Sequence, residues 1–226
     1  MAKISEKAGQ MPASAIRKLV PFADAAKKQG VKVYHLNLGQ PDIKSPACAL
    51  DAVRNYSQEN VSYSHSAGLM ELRKGLVEKY YRKIGIDITV DELIVTIAGS
   101  ESVNLALEIT CNPGDEVIVL EPFYTNYNTF AFMNGLTLKA IPTDIRNGFQ
   151  IPPIEEFEKA ITERTKAILV CNPGNPTGTQ YSKESMLALG EIARKHDLFL
   201  LSDEVYREFC YTDEPHFSAM NIPGLE

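Results

Sequence analysis

The sequence predicts an α/β fold built on a mostly parallel sheet with helices on both faces. Three observations carry this. Short apolar runs recur at 116–120 (EVIVL), 136–141 (LTLKAI), 167–170 (AILV) and 198–202 (LFLLS). Segments with apolar residues at helical spacing separate them, so strand and helix alternate. The last run opens with four consecutive apolar residues, as expected of a strand buried on both faces.

Taken in order, residues 1–30 are polar with scattered apolar positions and read as an arm that packs on another body. Ile16, Leu19, Val20 and Ala23 have helical spacing, which Pro21 is expected to interrupt. Residues 34–38 (YHLNL) are a short strand candidate ending in the turn Gly39-Gln40-Pro41-Asp42. Residues 46–58 read as a helix with Pro46 near its first turn. A second helix covers 69–83, with Leu69, Leu72, Leu76 and Tyr80 on one face and Gly85 ending it. Residues 93–98 (LIVTIA) are expected as a strand leading through Gly99 into a helix past Ile109. The run at 116–120 follows, then a helical stretch from Pro122, the run at 136–141, and a helix over 154–162. After 167–170 comes the loop CNPGNPTGT. Ser182 caps a helix that runs to His196, and the strand at 198–202 closes the series.

Bulk properties narrow the function. Lys plus Arg is 23 and Asp plus Glu is 29, a net charge of −6, which disfavours nucleic acid as a partner. Cys48, Cys111, Cys171 and Cys210 form no C-x-x-C pair and stand at no metal spacing to a His, so no metal site is expected. Cys111 and Cys171 follow apolar runs and read as buried reduced thiols, which fits a cytoplasmic protein. The N-terminal stretch MAKISEKAGQMPASAI has no apolar core of a signal peptide, and no membrane span is expected.

Three features converge on the carboxyl ends of the strands, where ligands bind in open α/β sheets. Ala98-Gly99-Ser100-Glu101 is a strand-to-helix turn whose N–H groups and hydroxyl suit an anion, phosphate above all. Only the backbone of Glu101 suits such a role. In 172–178 (NPGNPTG) two prolines and two glycines stiffen a loop that holds Asn175 in one pose. Asp203 ends the last strand, with Tyr206 three residues on, and a cationic heterocycle nitrogen would satisfy its charge. Tyr124, just past another strand end, can stack on a flat ring. Against these stand plainer readings: a helix-capping Asp, a stiff loop that only stops a strand, and a core tyrosine. The set describes a site for a flat, phosphorylated, cationic heterocycle.

AGSESVNLAL, EPFYTNY, NPGNPTG and SDEVYREF, in this order and spacing, resemble the class I/II aminotransferases of pyridoxal-phosphate fold type I, the aspartate aminotransferase-like group. IRKLVPFADAAKKQG, LNLGQPD and VSYSHSAGLMELRKGL resemble the N-terminal part of that family. The resemblance implies a three-layer αβα large domain with a mostly parallel sheet, truncated before its last strands and the C-terminal small domain. Residues 1–45 would be an N-terminal arm and small-domain segment, and 46–226 the large domain. It implies pyridoxal 5′-phosphate as cofactor, an amino acid and a 2-oxo acid as substrates, and a homodimer. Asp203 would pair with the protonated pyridine nitrogen, and Asn175 and Tyr206 would bond the ring's phenolic oxygen. Tyr124 would stack on the ring, and Gly99, Ser100 and the neighbouring backbone would hold the phosphate. Tyr63 would reach the phosphate of the other subunit, and Gly39 would lie near the substrate carboxylate.

The family's Schiff-base lysine follows the Asp by roughly thirty to forty residues and serves as covalent anchor and proton shuttle. No lysine follows Asp203 in this sequence, and the last one, Lys195, precedes the strand. The expectation is a piece of a longer enzyme, inactive alone. In the family the final strands insert between the first strand and the Asp-bearing one, so 93–98 is not expected to pair with 198–202. Two other readings stay open: a pyridoxal-phosphate-dependent β-lyase or synthase on the same fold, and a non-catalytic cofactor-binding or interaction module.

Overall fold

The computed structural model describes residues 2–11, 14, 16–57 and 59–225. Met1, Pro12, Ala13 and Ala15 of the expected arm and Gln58 of the first expected helix lie outside the described residues. The N-terminal part carries α1 (Glu6–Gln10), α2 (Val20–Lys28) and α3 (Ala47–Arg54). α4 (Met70–Lys79) follows, then α5 (Gly99–Thr110). From there strand and helix alternate: β1 (Glu116–Glu121), α6 (Asn126–Asn134), β2 (Thr137–Pro142), α7 (Ile154–Ala160), β3 (Thr165–Cys171), α8 (Lys183–Lys195) and β4 (Phe199–Asp203).

The four strands form one all-parallel sheet in the order β2-β1-β3-β4. Its two faces are read directly from the period-2 alternation of strand side chains. Ile118, Leu120, Ile168 and Val170 pack with Phe157 of α7 and with Met186, Leu189, Ile192 and Ala193 of α8. Val117, Val119, Ala167 and Leu169 point the other way, onto Leu107 of α5 and Tyr127 and Ala131 of α6. The result is a three-layer αβα sandwich. Val117, Ile118 and Val119 are wholly buried, and each such side chain contributes roughly 1.5–3 kcal/mol of hydrophobic stabilisation.

Helix ends follow local chemistry. Ser182 Oγ accepts the Ser185 N–H at 3.2 Å and starts α8. Gly85 and Gly135 end their helical segments with φ of 76° and 70°, a conformation that glycine adopts without a Cβ clash. Pro21 does not break the N-terminal helix. It stands in the first turn of α2, where a missing N–H costs nothing.

Three strand expectations are corrected. Residues 93–98 form no strand: Ile94 and Ile97 are 64% and 93% exposed, and no strand lies beside them among the described residues. The segment is tied down locally, through Val95 N–H to Ala67 O at 3.0 Å. A strand exists only as a paired element, so an apolar run without a neighbour stays irregular. The same reason applies to 34–38, which forms no strand and turns at 36–38, with Leu36 95% exposed. β4 forms as expected but is not buried on both faces. It is the edge of the sheet, and Phe199 is 54% exposed. Among the described residues none before Arg73 is buried, so the N-terminal segments add little to this core. No helix of the described residues is long and apolar enough to cross a membrane.

Candidate active site at the strand tips

The chain leaves β1 toward α6 on one face of the sheet and leaves β3 toward α8 on the other. The loops after these two adjacent strands therefore diverge, and an open α/β sheet binds ligands at such a point. A small cavity marks it, lined by Phe123 and Tyr127 from the β1 side and Cys171, Gly174 and Asn175 from the β3 side. Next to it, a groove of about 950 Å³ runs along the free edge of β4. Gly99 at the start of α5 and Asp203 at the tip of β4 both line this groove.

Asp203 is held by register and by side chain. Its Cα pairs with Cys171 across the β3–β4 ladder. Its carbonyl accepts the Asn172 N–H at 2.9 Å. Oδ2 accepts the phenol of Tyr127 at 2.8 Å, and Oδ1 accepts the Val205 N–H at 3.3 Å. A carboxylate has about four acceptor positions, so two donors leave room for a further cationic N–H. The side chain is half-buried, and the residue lines the groove beside β4.

Tyr127 is 1% exposed. Burial first, and then the negative charges of Cys171 and Asp203, push its phenol far above the ordinary tyrosine range. It donates its phenolic hydrogen to Asp203. Its ring packs parallel to Phe123 at 6.2 Å and edge-on to Tyr124 at 5.5 Å. Tyr124 is half-buried, and its hydroxyl accepts from Asn126 Nδ2 at 2.8 Å. Burial and the Asp203 charge push the Cys171 thiol up to about 11, and the thiol donates to Pro173 O at 3.3 Å. Cys111 and Cys171 are both buried free thiols.

The α5 turn is open as an anion site requires. Ala98 is the extended N-cap residue, and a Cβ added at Gly99 would meet no atom within 4 Å. Ser100 is exposed. The Glu101 side chain turns back to accept the Ile97 N–H at 2.6 Å, beside the N-terminus of α5. Asn175 is half-buried in the loop that follows β3. Tyr206 is 38% exposed, with its ring edge-on to Phe209 at 6.0 Å. Tyr63 is fully exposed, and nothing lies near Gly39 within 4 Å of a would-be Cβ. The structure thus brings Gly99, Asp203, Asn175 and Tyr124 to one end of the sheet, while Tyr63 and Gly39 are exposed.

Sequence reasoning passed over Tyr127, Asn172 and Glu204. Tyr127 had a signal: it is an aromatic three residues after Tyr124, within the stretch expected to be helical from Pro122. Lys195 is the last residue of α8. Its ammonium donates to Glu158 at 2.7 Å at the far end of α8.

Comparison with known proteins agrees with this geometry. The family model for aminotransferase class I and II matches residues 31–226. An aspartate/prephenate aminotransferase of Thermus thermophilus is 37% identical over 223 residues, 98% of this chain and 57% of that protein. The putative aminotransferase YugH of Bacillus subtilis is 36% identical, over 99% of this chain and 57% of its own length. Among solved structures, a single mutant of the Thermus thermophilus aspartate aminotransferase superposes with a TM-score of 0.90 at 37% identity, over 97% of this chain and 57% of that one. An alanine aminotransferase from Pyrococcus furiosus gives 0.86 at 35%, over 96% and 56%. The chain spans a little over half the length of the relatives it matches, and its sheet is the aspartate aminotransferase large-domain sheet in part. By sequence and by fold, the chain belongs to the aminotransferase class I and II family.

Proposed function

We propose that this chain is the cofactor-binding part of an enzyme that moves an amino group between an amino acid and a 2-oxo acid with pyridoxal 5′-phosphate. The observation that carries the reading is Asp203: a half-buried carboxylate at a strand tip, oriented by a buried phenol, with acceptor capacity left over. The residues fit the group. Gly99 leaves the α5 N-terminus open toward the groove that Asp203 also lines. When bound, pyridoxal phosphate supplies a ring that takes up the electron pair left at Cα once the amino acid loses its proton.

The chain's own residues make that possible. Asp203 keeps the ring nitrogen protonated, because a carboxylate beside it in a poorly hydrated site raises that nitrogen's pKa. Tyr127 holds Asp203 in the orientation this needs. Asn175 and Tyr206 donate to the ring's phenolic oxygen, and Tyr124 stacks on the ring. The backbone of Ala98, Gly99, Ser100 and Glu101, with the Ser100 hydroxyl, binds the phosphate at the positive end of α5. Tyr63, exposed here, serves the phosphate of a second subunit in a homodimer, and Gly39 approaches the substrate carboxylate. Residues 1–45 belong to the arm, and 46–226 to the large domain.

Lys195 is engaged with Glu158, and no lysine follows Asp203 in these 226 residues. The polypeptide therefore holds the cofactor without a covalent bond and does not turn over by itself. Titration with pyridoxal phosphate, followed by borohydride and peptide mapping, tests this. The expected result is saturable one-to-one binding with no modified site peptide. Absence of saturable binding would remove the proposal.

A further inference from the structure

One residue past the tip of β4, the Glu204 side chain gathers a polar cluster that the roles above do not use. It is 13% exposed. Oε1 accepts from Ser202 Oγ and Ser218 Oγ, each at 3.0 Å, and from the Ala219 N–H at 2.8 Å. Oε2 lies 3.5 Å from the Arg207 guanidinium and 4.0 Å from His216 Nε2. His216 is 5% exposed in its side chain, and its Nε2 stands 3.0 Å from the Asn172 carbonyl. A carbonyl only accepts, so Nε2 carries the proton in this bond.

Asn172 is wholly buried and held at three atoms. Its N–H donates to Asp203 O at 2.9 Å, its carbonyl accepts from His216, and its Oδ1 accepts the Tyr181 N–H at 3.0 Å. The contacts close a circuit: Asp203 to Asn172, Asn172 to His216, His216 to Glu204, and Glu204 back to Asp203 along the chain. This circuit joins the strand tip that carries the acid to the first residue of the loop that carries Asn175. It does so at a cost. Asn172 Nδ2 and His216 Nδ1 are buried without a partner among the described residues, and such atoms lose their hydration uncompensated.

We infer that His216 is a positioning residue. Through its bond to the Asn172 carbonyl it holds the 172–178 loop against the tip of β4, so that Asn175 and Asp203 meet one ligand ring at a fixed separation. The inference rests on the cofactor reading above. It acts through the loop, and His216 itself touches no ligand.

The test compares the unaltered protein with His216→Phe, which keeps a ring but cannot donate, and His216→Gln, which can. Two quantities are read: amide exchange within 172–179, and the dissociation constant for pyridoxal phosphate. Gly174 N–H and Gly178 N–H report the loop, since both are bonded within it, at 2.8 and 2.7 Å. His216→Phe is expected to speed their exchange and to weaken cofactor binding by about tenfold or more, as a small misplacement of site groups does. His216→Gln is expected to restore most of both. Unchanged exchange and affinity in His216→Phe would overturn the inference. If His216→Phe fails to fold, His216→Asn, too short to reach the carbonyl, is read the same way. Should the unaltered protein bind no pyridoxal phosphate, the cofactor reading falls, and loop exchange alone decides whether His216 holds the loop.

Discussion

Tyr127 of α6 donates its phenolic hydrogen to Oδ2 of Asp203 at the end of β4, at 2.8 Å. The two residues come from elements on different layers and are 76 positions apart in the chain. Only the packing of α6 on the sheet brings them together, with Tyr127 seated among Val117, Val119 and Leu169. The fold thereby sets the orientation of the carboxylate on which the proposed chemistry depends.

That bond should be measurable as a coupling. A double-mutant cycle of Tyr127→Phe and Asp203→Asn, followed by urea unfolding, should give an interaction of about 1–3 kcal/mol, as hydrogen bonds to charged groups do. Phenylalanine keeps the ring contacts with Phe123 and Tyr124, so the cycle isolates the hydroxyl. Strict additivity of the two substitutions would contradict the contact.

Cys171 supplies a pH test. Its thiol is raised to about 11 in the folded protein, mainly by burial and then by Asp203, from an ordinary value of 9.0 when unfolded. Below the unfolded value both states keep the proton and nothing is lost. As pH rises toward 11, the unfolded thiol ionises and the folded one does not, so stability falls. Two units correspond to roughly 2–3 kcal/mol. Cys171→Ser should lose less stability than the unaltered protein across this window. At pH 8 iodoacetamide should modify the exposed Cys48 well before the buried Cys111 and Cys171.

The outer edge of β4 offers a third prediction. Phe199 is 54% exposed on an edge strand with unpaired backbone groups, and such edges recruit other strands. Phe199→Lys should reduce self-association in sedimentation velocity without changing the far-UV spectrum. A monomeric unaltered protein at high concentration would refute the idea.

Packing of the C-terminal segment on α8 can be probed at Gly190. A Cβ there would stand 2.5 Å from Ile222 Cγ2. Ile222 is 3% exposed in the α7–α8 core, so it has little room to yield. Gly190→Ala should destabilise by about 1–3 kcal/mol despite its better helix propensity. A rise in melting temperature would show that the segment is loosely held.

The strand–helix alternation from 116 to 203 was legible because each apolar run is bounded by turn chemistry and each helix has a start signal, Ser182 being the plainest. Asp203 was legible because the acid follows four apolar residues and one serine at the end of a strand-like run. Residues 93–98 misled because strand character lies in the pairing, which a run of apolar letters does not encode. β4 misled for a related reason, since its place in the order of strands, and hence its exposure, is a property of the whole sheet. Asn172 looked like a loop residue, yet it is the wholly buried anchor of that loop. His216 and Glu204 carry no spacing signal at all: their meeting depends on how 204–219 folds back over the strand tip.

The proposed function turns on a proton that Asp203 holds on the ring nitrogen of pyridoxal phosphate. Bound cofactor labelled with nitrogen-15 in the ring is to be observed by NMR at pH 8. The expected result is the chemical shift of a protonated pyridine in the unaltered protein and that of a neutral pyridine in Asp203→Ala. A neutral ring nitrogen in the unaltered protein, or a protonated one that survives Asp203→Ala, would contradict it.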